Sequence, residues 1–147
     1  YIGPLSRFQI NAGINQKDID ILGILSGPEP QRTYFEEKVL AQLSTLNGQH
    51  ILIRGTKTPL NPNIIPGSNL EIIDFLPAAD LQQLVVRAKM QVSRSGYSTV
   101  MDLVYSGIPA LMVPTPGQFE QEYLCTFLEN KGPWQFQSQQ SLNIALA

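Results

Sequence analysis

Apolar positions along the chain switch repeatedly between two spacings. Residues 19–25 form an isoleucine-rich apolar run closed by Ser26-Gly27-Pro28-Glu29-Pro30, which predicts a buried strand followed by a turn. Over residues 31–46, Tyr34, Phe35, Val39, Leu40, Leu43 and Leu46 recur at helical spacing, and Asn47-Gly48 stops the helix. Residues 50–54 read as a second strand. Residues 56–69 hold Pro59, Pro62, Pro66 and Gly67 and read as a connection without regular structure. A third strand is predicted over 70–75, then a helix over 77–88 with Leu81, Leu84 and Val85 on one face. Residues 90–93 give a short fourth strand, 97–106 a helix closed by Gly107, and 109–113 a fifth strand. A last helix spans 118–130 up to Lys131-Gly132, and 134–136 is a candidate sixth strand.

Strands thus alternate with helices, the pattern of a parallel sheet covered on both faces. The expected fold is α/β: a doubly wound, mainly parallel sheet of about six strands, Rossmann-like in type. Residues 1–147 read as one domain without internal repeat. In such folds ligands bind beyond the carboxyl ends of the strands. That rule selects the loops at 26–30, 54–69, 75–78, 93–98 and 114–119.

Composition narrows the function. The chain has 147 residues, 43% of them hydrophobic, enough for a domain with its own core. A net charge of -2 with scattered basic residues argues against nucleic acid as a partner. The single cysteine, Cys125, allows no internal disulfide and fits a reducing compartment. No apolar run approaches the roughly 20 residues of a membrane-spanning helix, and no signal peptide is visible. The chain opens on Tyr1 rather than on methionine and stops inside the apolar pattern 142–147, so a piece of a longer protein is expected.

The first loop lacks both G-x-G-x-x-G and a Gly-Lys-Ser/Thr phosphate loop, which disfavours a dinucleotide; a plain strand-to-helix turn opened by Pro28 or Pro30 accounts for it. The fourth loop, Ser93-Arg94-Ser95-Gly96-Tyr97-Ser98-Thr99, leaves a strand and enters a helix. Gly96 permits close approach of a ligand, the helix start favours an anion, and Ser95 and Ser98 add hydroxyl donors. A diphosphate suits it; helix capping by either serine is the structural alternative. Asp102, one turn beyond Ser98, can reach two vicinal hydroxyls of a ribose, or can serve only its helix dipole. Gln118, Gln121 and Glu122 stand at i, i+3 and i+4. They suit a sugar, or a solvated helix face. No catalytic constellation is visible: His50 opens a strand and Cys125 lies mid-helix with no nearby histidine. Metal-ligand spacing is absent.

The stretch from Ser93 through Gly96, Thr99, Asp102, Gly107 and Pro109 to Pro114 resembles the C-terminal domain of glycosyltransferase family 28, whose pattern reads S/C-R-S-G-x-x-T-x-x-E-x-x-x-x-G-x-P-x-x-x-V-P. The family includes the bacterial transferases that add N-acetylglucosamine in peptidoglycan lipid synthesis. The resemblance covers about residues 2–132. It implies one Rossmann-like half of a two-domain GT-B fold, the half that binds a UDP-sugar. By position it implies Phe75 and Leu76 against uracil, and Ser95, Gly96 and Tyr97 facing the diphosphate. Asp102 would hold the ribose, Gln121 would contact the donor sugar with Glu122 beside it, and Arg7 would lie near the phosphates. Ser26 and Gly27 stand in the phosphate-facing first turn, where the family has G-G-S-x-G.

Three departures stand out. Asp102 is a methylene shorter than the family's Glu, Glu122 replaces a second Gln, and Pro28-Glu29 alters the first turn. The acceptor-binding N-terminal domain, with the family's base, is not in the sequence. The expected function is therefore the donor domain of an inverting glycosyltransferase, inactive alone, with no metal and no resident cofactor. The expected location is the cytoplasm, with the whole protein peripheral at the inner membrane face and acting on a lipid or small-molecule acceptor. A separately encoded donor subunit docked on a membrane partner, a sugar-nucleotide epimerase of the same fold and a non-catalytic nucleotide-binding module are the alternatives.

Overall fold

The computed structural model describes residues 16–60, 67 and 69–147. Its strands are β1 (Ile19–Ile24), β2 (His50–Ile53), β3 (Leu70–Ile73), β4 (Ala88–Ser93), β5 (Ala110–Met112) and β6 (Trp134–Phe136). Between them lie the helices α1 (Gln31–Leu43), α2 (Ala78–Arg87), α3 (Tyr97–Ser106) and α4 (Phe119–Leu128), and a 3-10 turn at Ile144–Leu146 follows. The strands form one sheet in the order β3-β2-β1-β4-β5-β6, and every pairing is parallel. The order reverses between β1 and β4, which makes that crevice the switch point of the sheet.

Alternation along the strands feeds two cores. Ile51 and Ile53 of β2 and Ala110 and Met112 of β5 face Leu81 and Val85 of α2 and Val100 and Leu103 of α3. Leu52, Val92 and Leu111 face the other way, onto Phe35, Val39 and Leu43 of α1 and onto Leu142 and Ile144 of the tail. Each fully buried aliphatic side chain contributes roughly 1.5–3 kcal/mol. Gly23 sits where this second layer is tightest: a Cβ there would lie 2.7 Å from Leu52 Cδ1.

Of the boundaries that differ from the periodicity, two have a visible cause. The first helix ends at Leu43 rather than near 46, because the amides of Thr45 and Leu46 both turn back to the Gln42 carbonyl. The fourth strand begins at Ala88, directly after α2, since Ala88 pairs with Ile19 and Lys89 reaches Asp20 Oδ1 at 2.6 Å. No helix among the described residues is long and apolar enough to cross a membrane.

Candidate functional site

At the carboxyl edge of the sheet, the ends of β1, β2 and β3 and the start of α3 enclose a hollow of about 380 Å³. It brings together six residues singled out in the sequence: Ser26, Phe75, Leu76, Gly96, Tyr97 and Ser98. Ile24, Leu25, Ile53, Gly55, Leu81 and Thr99 complete the lining. Those six were missed because five are apolar or glycine and look like ordinary strand ends and core. Phe75 and Tyr97 are large, aromatic and more than half exposed at the rim, and Lys57 Nζ stands 6.0 Å from the Phe75 ring centre.

The glycines of these loops do different jobs. Gly27 has φ +107 and Gly55 has φ +67, and a Cβ on Gly55 would strike the Leu25 carbonyl at 2.5 Å. The backbone itself demands glycine there. Gly96 is different: its φ of -65 suits any residue, and a Cβ on it would meet nothing within 4 Å. Neither backbone nor packing explains the glycine, and the space it keeps open belongs to the hollow.

Gly96 is the N-cap of α3, and no side chain caps that helix. The early amide N–H groups of α3 therefore start beside the hollow, with the positive end of the helix dipole. Among the described residues the lining carries no charged side chain. An anion would be held by main-chain donors and the dipole.

The remaining predicted residues lie around this hollow rather than in its wall. Ser95 is fully buried, and its hydroxyl donates to the Gln121 carbonyl at 3.1 Å. Asp102 is 5% exposed, in the second turn of α3 at i+4 from Ser98 and i+3 from Thr99. Gln118 is the N-cap of α4; the Gln121 amide donates to Gln118 Oε1 at 2.6 Å and accepts the Thr115 N–H at 2.8 Å. Glu122 is exposed. Arg7 lies outside the described residues.

The first loop is organised by its own charges. Glu29 accepts the Thr33 N–H at 3.2 Å and its hydroxyl at 2.7 Å, so a carboxylate already occupies the start of α1. The Thr33 hydroxyl and Arg32 hold that carboxyl below its ordinary range. Arg32 also pairs with Glu36, which accepts from Arg54 Nε at 2.6 Å, and Arg54 Nη1 reaches Asp74 Oδ1 at 2.9 Å. Arg32, Glu36 and Arg54 are buried. This ion ladder fixes the exits of β2 and β3 against α1. The i,i+3 and i,i+4 spacings of Glu29, Arg32 and Glu36 were its signs in the sequence.

His50 is buried at 2% exposure, with Nε2 3.3 Å from the Leu46 carbonyl. Burial pushes the Cys125 thiol up, against a smaller opposing effect of the Ser95 hydroxyl. Neither touches the hollow. Among the described residues no cluster of three His, Cys, Asp or Glu side chains could hold a metal ion. A second hollow of about 380 Å³ lies at the amino edge of the sheet, near Asp18, His50 and Arg87, where helices end rather than begin.

A crevice at the switch point of a parallel sheet, ending on an uncapped helix start, is where doubly wound α/β domains bind their ligands. The sequence pattern of the glycosyltransferase family 28 C-terminal domain matches residues 31–145, and the chain belongs to that family. It is 25% identical over 137 residues to the UDP-N-acetylglucosamine--N-acetylmuramyl-(pentapeptide) pyrophosphoryl-undecaprenol N-acetylglucosamine transferase of Haemophilus ducreyi, covering 89% of this chain and 37% of that protein. Among solved structures it is similar to the glycosyltransferase SnogD from Streptomyces nogalater, with TM-score 0.68, 14% identity, 97% of this chain and 40% of that one. It is also similar to Acinetobacter baumannii MurG, with TM-score 0.67, 16% identity, 87% of this chain and 38% of that one. The fold is therefore that of the Rossmann-like domain of GT-B glycosyltransferases. The chain spans well under half the length of each of these relatives.

Proposed function

We propose that this domain binds the UDP-sugar donor of an inverting glycosyltransferase, and that UDP-N-acetylglucosamine, the sugar donor named for the Haemophilus relative, is its donor. One observation carries the reading: a glycine that neither backbone nor packing requires, Gly96, keeps space open where an uncapped helix starts. The diphosphate lies against the amides of Gly96, Tyr97 and Ser98. Uracil lies toward Phe75 and Leu76 in the same hollow, and the sugar toward Gln118, Gln121 and Glu122. Main-chain donors take the place of a metal ion in holding the leaving diphosphate.

Acceptor positioning and proton removal belong to a partner domain that closes over this cleft, so the domain alone transfers no sugar. The acceptor is a lipid or small molecule, and the whole enzyme works in the cytoplasm at the inner membrane face.

Calorimetric titration of this chain with UDP, with and without chelator, tests the reading. Binding that is weak, saturable and unchanged by chelator is expected. Binding that vanishes on chelation, or robust sugar transfer by this chain alone, would overturn it.

A further inference from the structure

The turn that opens α3 also contains Arg94, the largest wholly buried side chain, at 1% exposure. Its guanidinium lies over the Phe35 ring, 4.1 Å from the centre. Nη2 donates to the Gln31 carbonyl at 3.0 Å and to Gln139 Oε1 at 2.6 Å. Nη1 donates to the carbonyls of Val113 and Pro114 at 3.4 and 3.3 Å. All four acceptors are neutral, and Nε has no acceptor at all.

Arg32 and Arg54 are buried to a similar depth, but each is matched by carboxylates. Among the described residues none pairs with Arg94. Burial pushes its pKa down to about 10, which leaves it protonated at neutral pH. A buried charge without a counter-ion costs free energy, and an apolar side chain of similar volume would avoid that cost. Among the described residues the hollow has no cationic side chain in its lining, and Lys57 stands only at its rim, over Phe75, although a diphosphate brings at least two negative charges. The Arg94 backbone is two residues from that of Gly96, and its guanidinium donates to the carbonyls of Gln31 and Pro114, at the same carboxyl edge of the sheet as the hollow. A charge buried in protein is screened by salt far less than an exposed one.

We infer that the uncancelled charge of Arg94, held behind the Gly96 turn, gives this site its preference for a diphosphate over a neutral ligand. Arg94 touches no ligand; it acts through its field and through the β5 exit that it holds. The inference rests on the donor-site reading above.

Gln139→Glu is the discriminating variant. It keeps the shape and the hydrogen bond to Arg94 and places a carboxylate against the guanidinium, at the loss of the bond that Gln139 Nε2 donates to Gln31 Oε1 at 3.1 Å. Titration with UDP and with uridine, beside a melting curve, gives the readout. Gln139→Glu is expected to weaken UDP roughly ten-fold, with uridine changed less than two-fold and melting lowered by no more than the one lost bond to Gln31 explains. Arg94→Lys should keep most of the UDP-over-uridine ratio, and Arg94→Met should lose it. Wild-type UDP affinity in a folded Gln139→Glu variant overturns the inference and leaves the donor reading standing. Equal loss of UDP and uridine in Arg94→Met does the same. Should Gln139→Glu melt early, Arg94→Lys decides, and collapse of its ratio is the negative result. A wild type that binds UDP no better than uridine overturns both readings together.

Discussion

Ser95 donates its hydroxyl proton to the main-chain carbonyl of Gln121, 3.1 Å away, and so ties the start of α3 to the first turn of α4. The Gln121 side chain continues the chain of bonds to the Thr115 amide and to Gln118. The loop beside the proposed phosphates and the loop beside the proposed sugar are therefore one hydrogen-bonded body.

Ser95→Ala removes this tie, while the Gln121 carbonyl keeps its place inside α4. A lost neutral hydrogen bond costs about 1 kcal/mol, or roughly 2–4 °C in melting temperature for a domain of this size. UDP affinity should change by no more than a few-fold, because Ser95 does not line the hollow. A hundred-fold loss of UDP with unchanged melting would put the hydroxyl on the phosphate instead.

Gly96→Ala should fold with unchanged stability, since its backbone geometry is ordinary and its Cβ meets open space. UDP binding should fall by ten-fold or more, because the methyl occupies the ligand's approach to the α3 amides. Gly55→Ala is the contrast: φ is +67 there and the Cβ strikes a carbonyl, so melting should drop sharply. If both variants behave alike, the distinction between a ligand glycine and a backbone glycine is wrong.

How much of this was legible before the structure depended on range. Hydrophobic period located every strand and helix, because the two cores draw on alternate strand residues and on helix stripes such as Leu81, Leu84 and Val85. The fourth loop could be read because strand, glycine and helix start are contiguous. The hollow's apolar wall could not be read, since Ile53 and Leu81 differ from other core residues only by where the sheet places them. The Glu29–Arg32–Glu36–Arg54–Asp74 ladder spans some 45 residues of sequence, and only its α1 part follows a local spacing. Arg94 was visible as a letter of the family motif, but nothing local says that it is buried without a carboxylate.

Phe75→Ala tests the nucleobase end. The ring is 58% exposed, so its loss should scarcely lower melting. An aromatic platform under a base contributes about 1–3 kcal/mol by alanine substitution, which is roughly five- to a hundred-fold in affinity. UDP should weaken by that factor, while pyrophosphate, which has no base, should bind wild type and variant equally. Equal weakening of pyrophosphate would move the base away from Phe75.

Glu36→Gln tests the ladder. Glu36 accepts from Arg32 and Arg54, both buried. Removing its charge leaves two guanidinium groups facing each other with only Glu29 and Asp74, exposed carboxylates, to balance them. Breaking a buried pair from one side costs roughly 3–5 kcal/mol. An unfolding free energy, from urea titration, lowered by less than a quarter of that amount would mean that water screens the ladder, and that the loop exits are held by other contacts.

Asp102→Ala tests the ribose. The residue lies one turn inside α3, beneath Ser98 and Thr99, which line the hollow. A hydrogen bond to a charged group contributes roughly 1.5–3 kcal/mol, and each step of about 1.4 kcal/mol is a factor of ten. UDP should therefore weaken by about ten- to a hundred-fold. A residue that served only its helix would instead show its loss in melting, at roughly 0.3–1 kcal/mol, with UDP affinity barely moved. Because Asp102 is only 5% exposed, Asp102→Asn belongs beside the alanine variant: it fills the same space, so packing loss is separated from loss of the carboxylate. The 2′-deoxy nucleotide completes the test. It should bind the wild type worse than UDP and bind Asp102→Ala about as well as UDP does, since the partner of the missing hydroxyl is already gone. If wild type and variant lose the same factor with the deoxy ligand, the carboxylate does not touch the ribose. The nucleotide must then lie in the hollow in another orientation.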